Sequence, residues 1–215
     1  MTKKLVCVVF VLLLGCSQVS ARGSFGSSFG SLATARSMGQ GSGTFGFGVG
    51  AADATSAFGS FSYGLSKYTD GRLKLGLYDP DGGDTEITFG ADFKWQLWSF
   101  GQQSNHPFDL ALGGLFEFID IAKNSSVFQV GVQSIGSYPV ALKNGRTLTP
   151  YGRLNLRLES ISIDGPAGNG DSESNLRFGL NGGVAFELSS TIVVFGEFQI
   201  DGNDGLFFGL DLNVM

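Results

Sequence analysis

Apolar and polar residues alternate with period two through ten short segments of this 215-residue chain, so its strands must each meet two different environments. From Tyr151 to Glu159, Leu154, Leu156 and Leu158 share one face, while Arg153, Asn155, Arg157 and Glu159 share the other. From Ile87 to Trp98, the residues Ile87, Phe89, Ala91, Phe93, Trp95 and Leu97 stand opposite Thr88, Asp92, Lys94 and Gln96. One face is continuously apolar and the other carries charge. That division suits an all-β, antiparallel up-and-down transmembrane β-barrel, with lipid outside and a charge-paired interior.

The alternating segments predict strands from about Thr44 to Ala51, Ala57 to Leu65, Arg72 to Tyr78, Thr85 to Trp98, Phe108 to Asp120, Val127 to Ser137, Thr147 to Ile163, Asn175 to Leu188, Thr191 to Asp201 and Leu206 to Val214. Turn chemistry separates them: Asp79-Pro80-Asp81-Gly82-Gly83-Asp84, Lys143-Asn144-Gly145, Asp164-Gly165-Pro166 and Asp201-Gly202-Asn203-Asp204-Gly205. Several segments reach the 9 to 11 or so residues that a tilted strand needs to cross a bilayer. The first three are shorter, which leaves eight or ten strands open. No segment carries a helical period, so helix content should be very low. The 34 glycines and 20 phenylalanines, against five prolines, suit tightly curved, aromatic-faced sheets. Tyr78, Trp98, Tyr138 and Tyr151 fall near strand ends, where aromatic girdles are found.

Ahead of the strands, Lys3 and Lys4, the apolar run Leu5 to Leu14 and Gly15-Cys16-Ser17-Gln18-Val19-Ser20-Ala21 form the three regions of an export signal. The run is too short to cross a bilayer as a permanent helix, which takes about 20 residues. Val19 and Ala21 favour cleavage before Arg22, giving a signal peptide at 1–21. Leu13-Leu14-Gly15-Cys16 offers the alternative of a lipoprotein acylated at Cys16. Residues 22–42, rich in Gly and Ser, read as a flexible leader or weak first strand, and 43–215 as the barrel domain. Cleavage at Ala21 removes both cysteines, and with them thiol and disulfide chemistry. Removing Lys3 and Lys4 leaves 12 basic side chains against 19 acidic ones, a poor match for nucleic acid.

With this alternation and turn spacing, residues 43–215 resemble the small outer-membrane β-barrel proteins of Gram-negative-type bacteria. Ala35-Arg36-Ser37-Met38-Gly39-Gln40-Gly41 is similar to an N-terminal motif of larger barrel families related to fatty-acid transporters. The last segment places Phe208, Leu210, Leu212 and Val214 on one face, as in the C-terminal strand that barrel-assembly machinery recognises, but it ends in Met215 where an aromatic residue is usual. The resemblance implies an outer-membrane location, the lipid bilayer and that machinery as partners, and a structural, adhesion or small-solute role.

If the apolar faces meet lipid, Phe89, Phe93, Trp95, Leu154, Leu156, Leu158, Phe178, Leu180, Phe208, Leu210 and Leu212 point outward. Arg72, Lys74, Asp92, Lys94, Asp109, Glu117, Arg153, Arg157, Glu159, Arg177, Glu197 and Asp211 then line the lumen. Buried charges must be paired, so these residues predict a filled or narrow interior and not a broad pore. A soluble export product with the apolar faces turned inward on a small apolar ligand is the alternative. His106, the single histidine, lies near Ser104 and Asp109, which raises a third reading, a lipid-modifying barrel enzyme. A turn histidine is the simpler account, and no catalytic residue, metal or cofactor is assigned. The acidic clusters Asp79, Asp81, Asp84 and Glu86, and Asp201, Asn203 and Asp204, lack the spacing of an EF-hand and fit turn hydrogen bonding.

Overall fold

The computed structural model of the chain describes residues 25–80, 84–100, 106–122, 125–163 and 171–214. The signal region, Cys16, Asp81, Ser104 and Met215 lie outside these residues. Eleven strands form: β1 (Gly43–Ala51), β2 (Ala54–Gly64), β3 (Thr69–Pro80), β4 (Glu86–Trp98), β5 (Asp109–Ala122), β6 (Ser125–Ser137), β7 (Val140–Ala141), β8 (Thr147–Ile163), β9 (Asp171–Glu187), β10 (Ile192–Ile200) and β11 (Gly205–Asn213). β7 is a two-residue extension paired only with the start of β8. The other ten pair antiparallel in chain order, β6 directly with β8, and β1 pairs with β11 to close the sheet. Closure leaves none of these ten strands as an edge. The fold is therefore an all-β, up-and-down barrel of ten strands, settling the choice between eight and ten.

β2 and β3 are 11 and 12 residues long, so the shortfall expected of them is absent. Their extra residues, Ala54 to Ser56, Thr69 to Gly71 and Asp79 to Pro80, carry little apolar alternation. Strand β1 begins and β11 ends at one rim, here called the lower rim. The β1–β2, β3–β4, β5–β6, β8–β9 and β10–β11 connections lie at the upper rim.

One register parity runs round the whole wall. Phe47 stands opposite Gly59, Gly59 opposite Leu75, Leu75 opposite Phe89, Phe89 opposite Phe118 and Phe118 opposite Phe128. The circuit closes through Phe208, which pairs with Gly196 and Val49. These residues share the outward face. All the positions expected to point outward do so, with Phe93, Trp95 and Phe178 more than half exposed and Leu180, Leu210 and Leu212 partly so. At outward strand positions the charged residues are Asp79 and Asp120, both close to the upper rim. A soluble barrel or sandwich with these apolar faces inward is not what forms.

Two of the aromatic residues expected at a girdle turn inward. Tyr78 is buried against Ala54, Ile119 and Val127, and Tyr151 against Phe195 and Phe207. Both occupy the lumen-facing parity of their strands, which overrides their position near a strand end. Trp98 and Tyr138 stay exposed at the lower rim.

Candidate functional site

The lumen is occupied by the chain itself. Residues 25–38 hold no strand and run through the barrel from the upper rim to the lower, before the turn at 39–42 leads into β1. Ser27, Ser28, Phe29, Ser31, Leu32 and Ala35 are all buried. Phe25 packs beside Ile161 and Tyr78 near the upper rim, and Phe29 sits deeper among Phe58, Phe207 and Tyr151. The Phe29 ring meets Phe58 edge-on at 5.1 Å, and the Lys74 ammonium lies 5.0 Å from its centroid. From Phe25 to Met38, the Gly- and Ser-rich stretch ahead of β1 is thus an internal plug.

Half of the twelve inward charges named from the sequence serve the plug, chiefly its backbone. Glu197 accepts the Ser31 and Leu32 amides at 2.6 and 2.8 Å, together with the Tyr151 hydroxyl and the Asn181 amide. Glu117 accepts the Ser27 hydroxyl and the Ser28 amide, and Glu159 the Phe25 amide. Arg72 donates to the carbonyls of Ser31 and Leu32, Lys94 to those of Thr34 and Arg36, and Arg153 to that of Gly30. An irregular segment leaves its amides and carbonyls without ladder partners, and burying them unpaired is costly. Lumen carboxylates meet the amides and lumen cations meet the carbonyls.

Several of the inward charges are also paired with one another across the lumen, where an isolated buried ion would be costly. Asp92 bridges Arg72 and Lys74 at 2.8 and 2.9 Å, with Glu117 3.8 Å from Lys74. Lys94 lies 3.5 Å from Asp70, and Arg177 3.6 Å from Glu159. Arg157 contacts Asp201 at 2.6 Å with both side chains fully buried. Asp109 accepts the Phe100 amide. Near the lower rim a cavity of about 180 Å³ remains between plug and wall, with Arg36, Asp70, Asp92, Lys94 and Asp211 among its lining.

Several plug partners were not expected from the sequence. Asp70 accepts from Ser37 and Met38, Gln96 from Ser37, and Ser137 from Ala35. Gln129, Gln199 and Asn203 donate to plug carbonyls. The Asp201 cluster, read as turn chemistry, does both jobs. Asp204 accepts from the amides of Asp201 and Gly202, while Asp201 accepts from Ser27 inside the barrel. Burial pushes the Asp201 carboxyl above its ordinary pKa, against the downward pull of Arg157.

His106 stacks on Trp98, 5.2 Å between centroids and 7° from parallel, at the lower rim. Asp109, offered as its partner, is engaged by Phe100 instead. Among the described residues no three His, Cys, Asp or Glu side chains are grouped to hold a metal ion.

Fold and lumen together define a closed, ten-stranded antiparallel β-barrel with an apolar outer wall, a charged inner wall and an internal plug drawn from its own N-terminal segment. No family model matches the chain, and none of the curated proteins compared with it matches. Among solved structures, the N-terminal β-barrel domain of Pseudomonas aeruginosa OprF is similar at 13% identity and a TM-score of 0.40, over 82% of this chain and 100% of that domain. That likeness is loose, and the barrel is defined by its own strand pairing.

Proposed function

We propose that this chain is a non-enzymatic outer-membrane β-barrel whose lumen is closed at rest, with a structural role in the membrane. The observation that carries this reading is the outer wall. An apolar surface continuous around a closed barrel, free of charge except near one rim, is far larger than the patches soluble monomers expose. A bilayer solvates such a wall, while the polar interior stays out of lipid. The export signal supports delivery beyond the inner membrane, and the β11 face of Phe208, Leu210 and Leu212 supports insertion by barrel-assembly machinery.

Closure follows from the plug, which fills the lumen from Phe25 to Met38. Passage of small solutes is the second reading. It is favoured by the charged cavity at the lower rim, and it requires the plug to move.

Cell fractionation followed by electrophoresis with and without boiling tests the location. Recovery in the outer membrane with a boiling-dependent mobility shift is expected, and a soluble product without the shift overturns the membrane reading. Planar-bilayer recording then separates the two roles: silence under low voltage fits the structural role, and steady conductance fits passage.

A further inference from the structure

The sequence carries an exact tandem repeat, Ser24-Phe25-Gly26-Ser27 followed by Ser28-Phe29-Gly30-Ser31. The barrel wall meets the backbone of Phe25–Ser27 and of Phe29–Ser31 alike, while the hydroxyls differ, that of Ser27 donating to Glu117 and that of Ser31 being buried without a partner. Gly26 and Gly30 both take φ +63°, the left-handed region. After each, the serine amide is accepted by a carboxylate, Asp201 for Ser27 and Glu197 for Ser31. The next amide again meets a carboxylate, Glu117 for Ser28 and Glu197 for Leu32. Each glycine carbonyl receives one side-chain donor, Gln129 at Gly26 and Arg153 at Gly30. Each following serine carbonyl is also met, by Gln199 and Asn203 at Ser27 and by Arg72 at Ser31.

The aromatic residue before each glycine enters its own apolar pocket. A Cβ on Gly26 would run into the Asn203 backbone, with Asp201 just behind it, and a Cβ on Gly30 would press on Glu197 and the Phe207 ring. Two different sets of wall residues thus meet the same Phe-Gly-Ser motif, with its glycine at the same left-handed φ. General packing of a polar lumen does not require that agreement. It is what a peptide-recognition site with two consecutive subsites looks like, with backbone hydrogen bonds supplying affinity and side-chain pockets selectivity.

We propose that the lumen is a peptide-binding tunnel that recognises the backbone of a Phe-Gly-Ser motif, and that residues 25–31 are its tethered ligand. Peptides of this sequence then compete for the tunnel once the tether is cut. The site goes beyond the membrane role and does not depend on it, because that role rests on the outer wall.

The full chain is folded with a specific protease site inserted between Gln40 and Gly41, both exposed, and nicked only after folding. Boiling-dependent mobility checks that the barrel survives. A fluorescent synthetic peptide covering 24–38 is then added, with and without urea below the concentration that unfolds the barrel. Peptides carrying Phe29→Ala, Gly26→Ala or Gly30→Ala are compared with it, so that the barrel itself is never altered. Saturable uptake of the unmodified peptide with release of the nicked fragment is expected, each glycine substitution weakening uptake at least tenfold. Fragment loss without peptide uptake overturns the proposal. So does uptake that ignores both glycine substitutions, which would mark nonspecific filling of a polar lumen.

Discussion

Arg157 and Asp201 form an ion pair at 2.6 Å with both side chains excluded from solvent, joining the middle of β8 to the β10–β11 turn. A second Arg157 amino group donates to the Asp201 backbone carbonyl. Asp201 in turn accepts the Ser27 amide, so wall, turn and plug meet at one carboxylate. Arg157→Met leaves that carboxylate buried without its main counter-charge and should cost about 3–5 kcal/mol of barrel stability. Adding Asp201→Asn to it should recover part of the loss. Urea unfolding of both variants in lipid vesicles, followed by tryptophan fluorescence, checks the order. Equal stability of wild type and Arg157→Met would mean that the pair contributes nothing.

Leu156 tests the outer wall. It lies between Val132 and Phe178 in register, all three on the outward face and near the middle of their strands. At that depth arginine should cost about 2–4 kcal/mol in a bilayer, and near the interface about 0–1 kcal/mol. Leu156→Arg should therefore lower stability much more than Ser160→Arg on the same strand and face. Unfolding in vesicles measures the difference, and it should shrink in short-chain detergent, where water reaches the wall more easily.

The outward and inward sets were legible in the sequence because both depend on a strict period of two, which one strand displays unaided. Closure adds one condition, a shared parity between neighbours, and Leu154, Leu156 and Leu158 meet it with Leu180, Phe178 and Leu176 across the β8–β9 pair. The plug was not legible in the same way. Its backbone is irregular, and its partners are remote: Ser31 and Glu197 are separated by 166 positions, Phe25 and Glu159 by 134. Nothing within 25–38 announces burial, since its serines and glycines are equally at home in a solvated linker. The doubled Ser-Phe-Gly-Ser was the available signal. Gln129 and Gln199 give no sequence signal because uncharged polar residues are ordinary on any inward face, and Asn203 reads only as turn chemistry although it also donates to the Ser27 carbonyl.

Glu197 concentrates four donors on one carboxylate: two plug amides, the Tyr151 hydroxyl and the Asn181 amide. Glu197→Gln keeps the shape but removes the charge and replaces one acceptor oxygen with a donor, so at least one buried donor loses its partner. The expected cost is about 1–3 kcal/mol, falling mainly on the plug because the β9–β10–β11 ladders are untouched. Hydrogen exchange should then quicken at Ser31 and Leu32 while β10 amides keep their protection. Planar-bilayer recording should show brief openings in this variant and none in the wild type. Uniform loss of protection across the barrel would instead place Glu197 in the service of the wall.

The lower end of the plug is fixed at Gly64. Its amide donates to the Ser42 carbonyl and its carbonyl accepts the Gly41 amide, both at 2.9 Å, tying the 39–42 turn to the end of β2. A side chain at Gly64 would run directly into the Gly39 carbonyl, a backbone atom that cannot rotate away. Gly64→Ala must therefore displace the turn, while the β2–β3 pairing above it, from Tyr63 and Gly71 upward, has no reason to change. Protease added from the lower-rim side should cut the variant near Gln40 several times faster than the wild type, and boiling-dependent mobility should persist. If mobility is lost as well, the turn is needed for the barrel to close, and the plug assembles before the wall instead of after it.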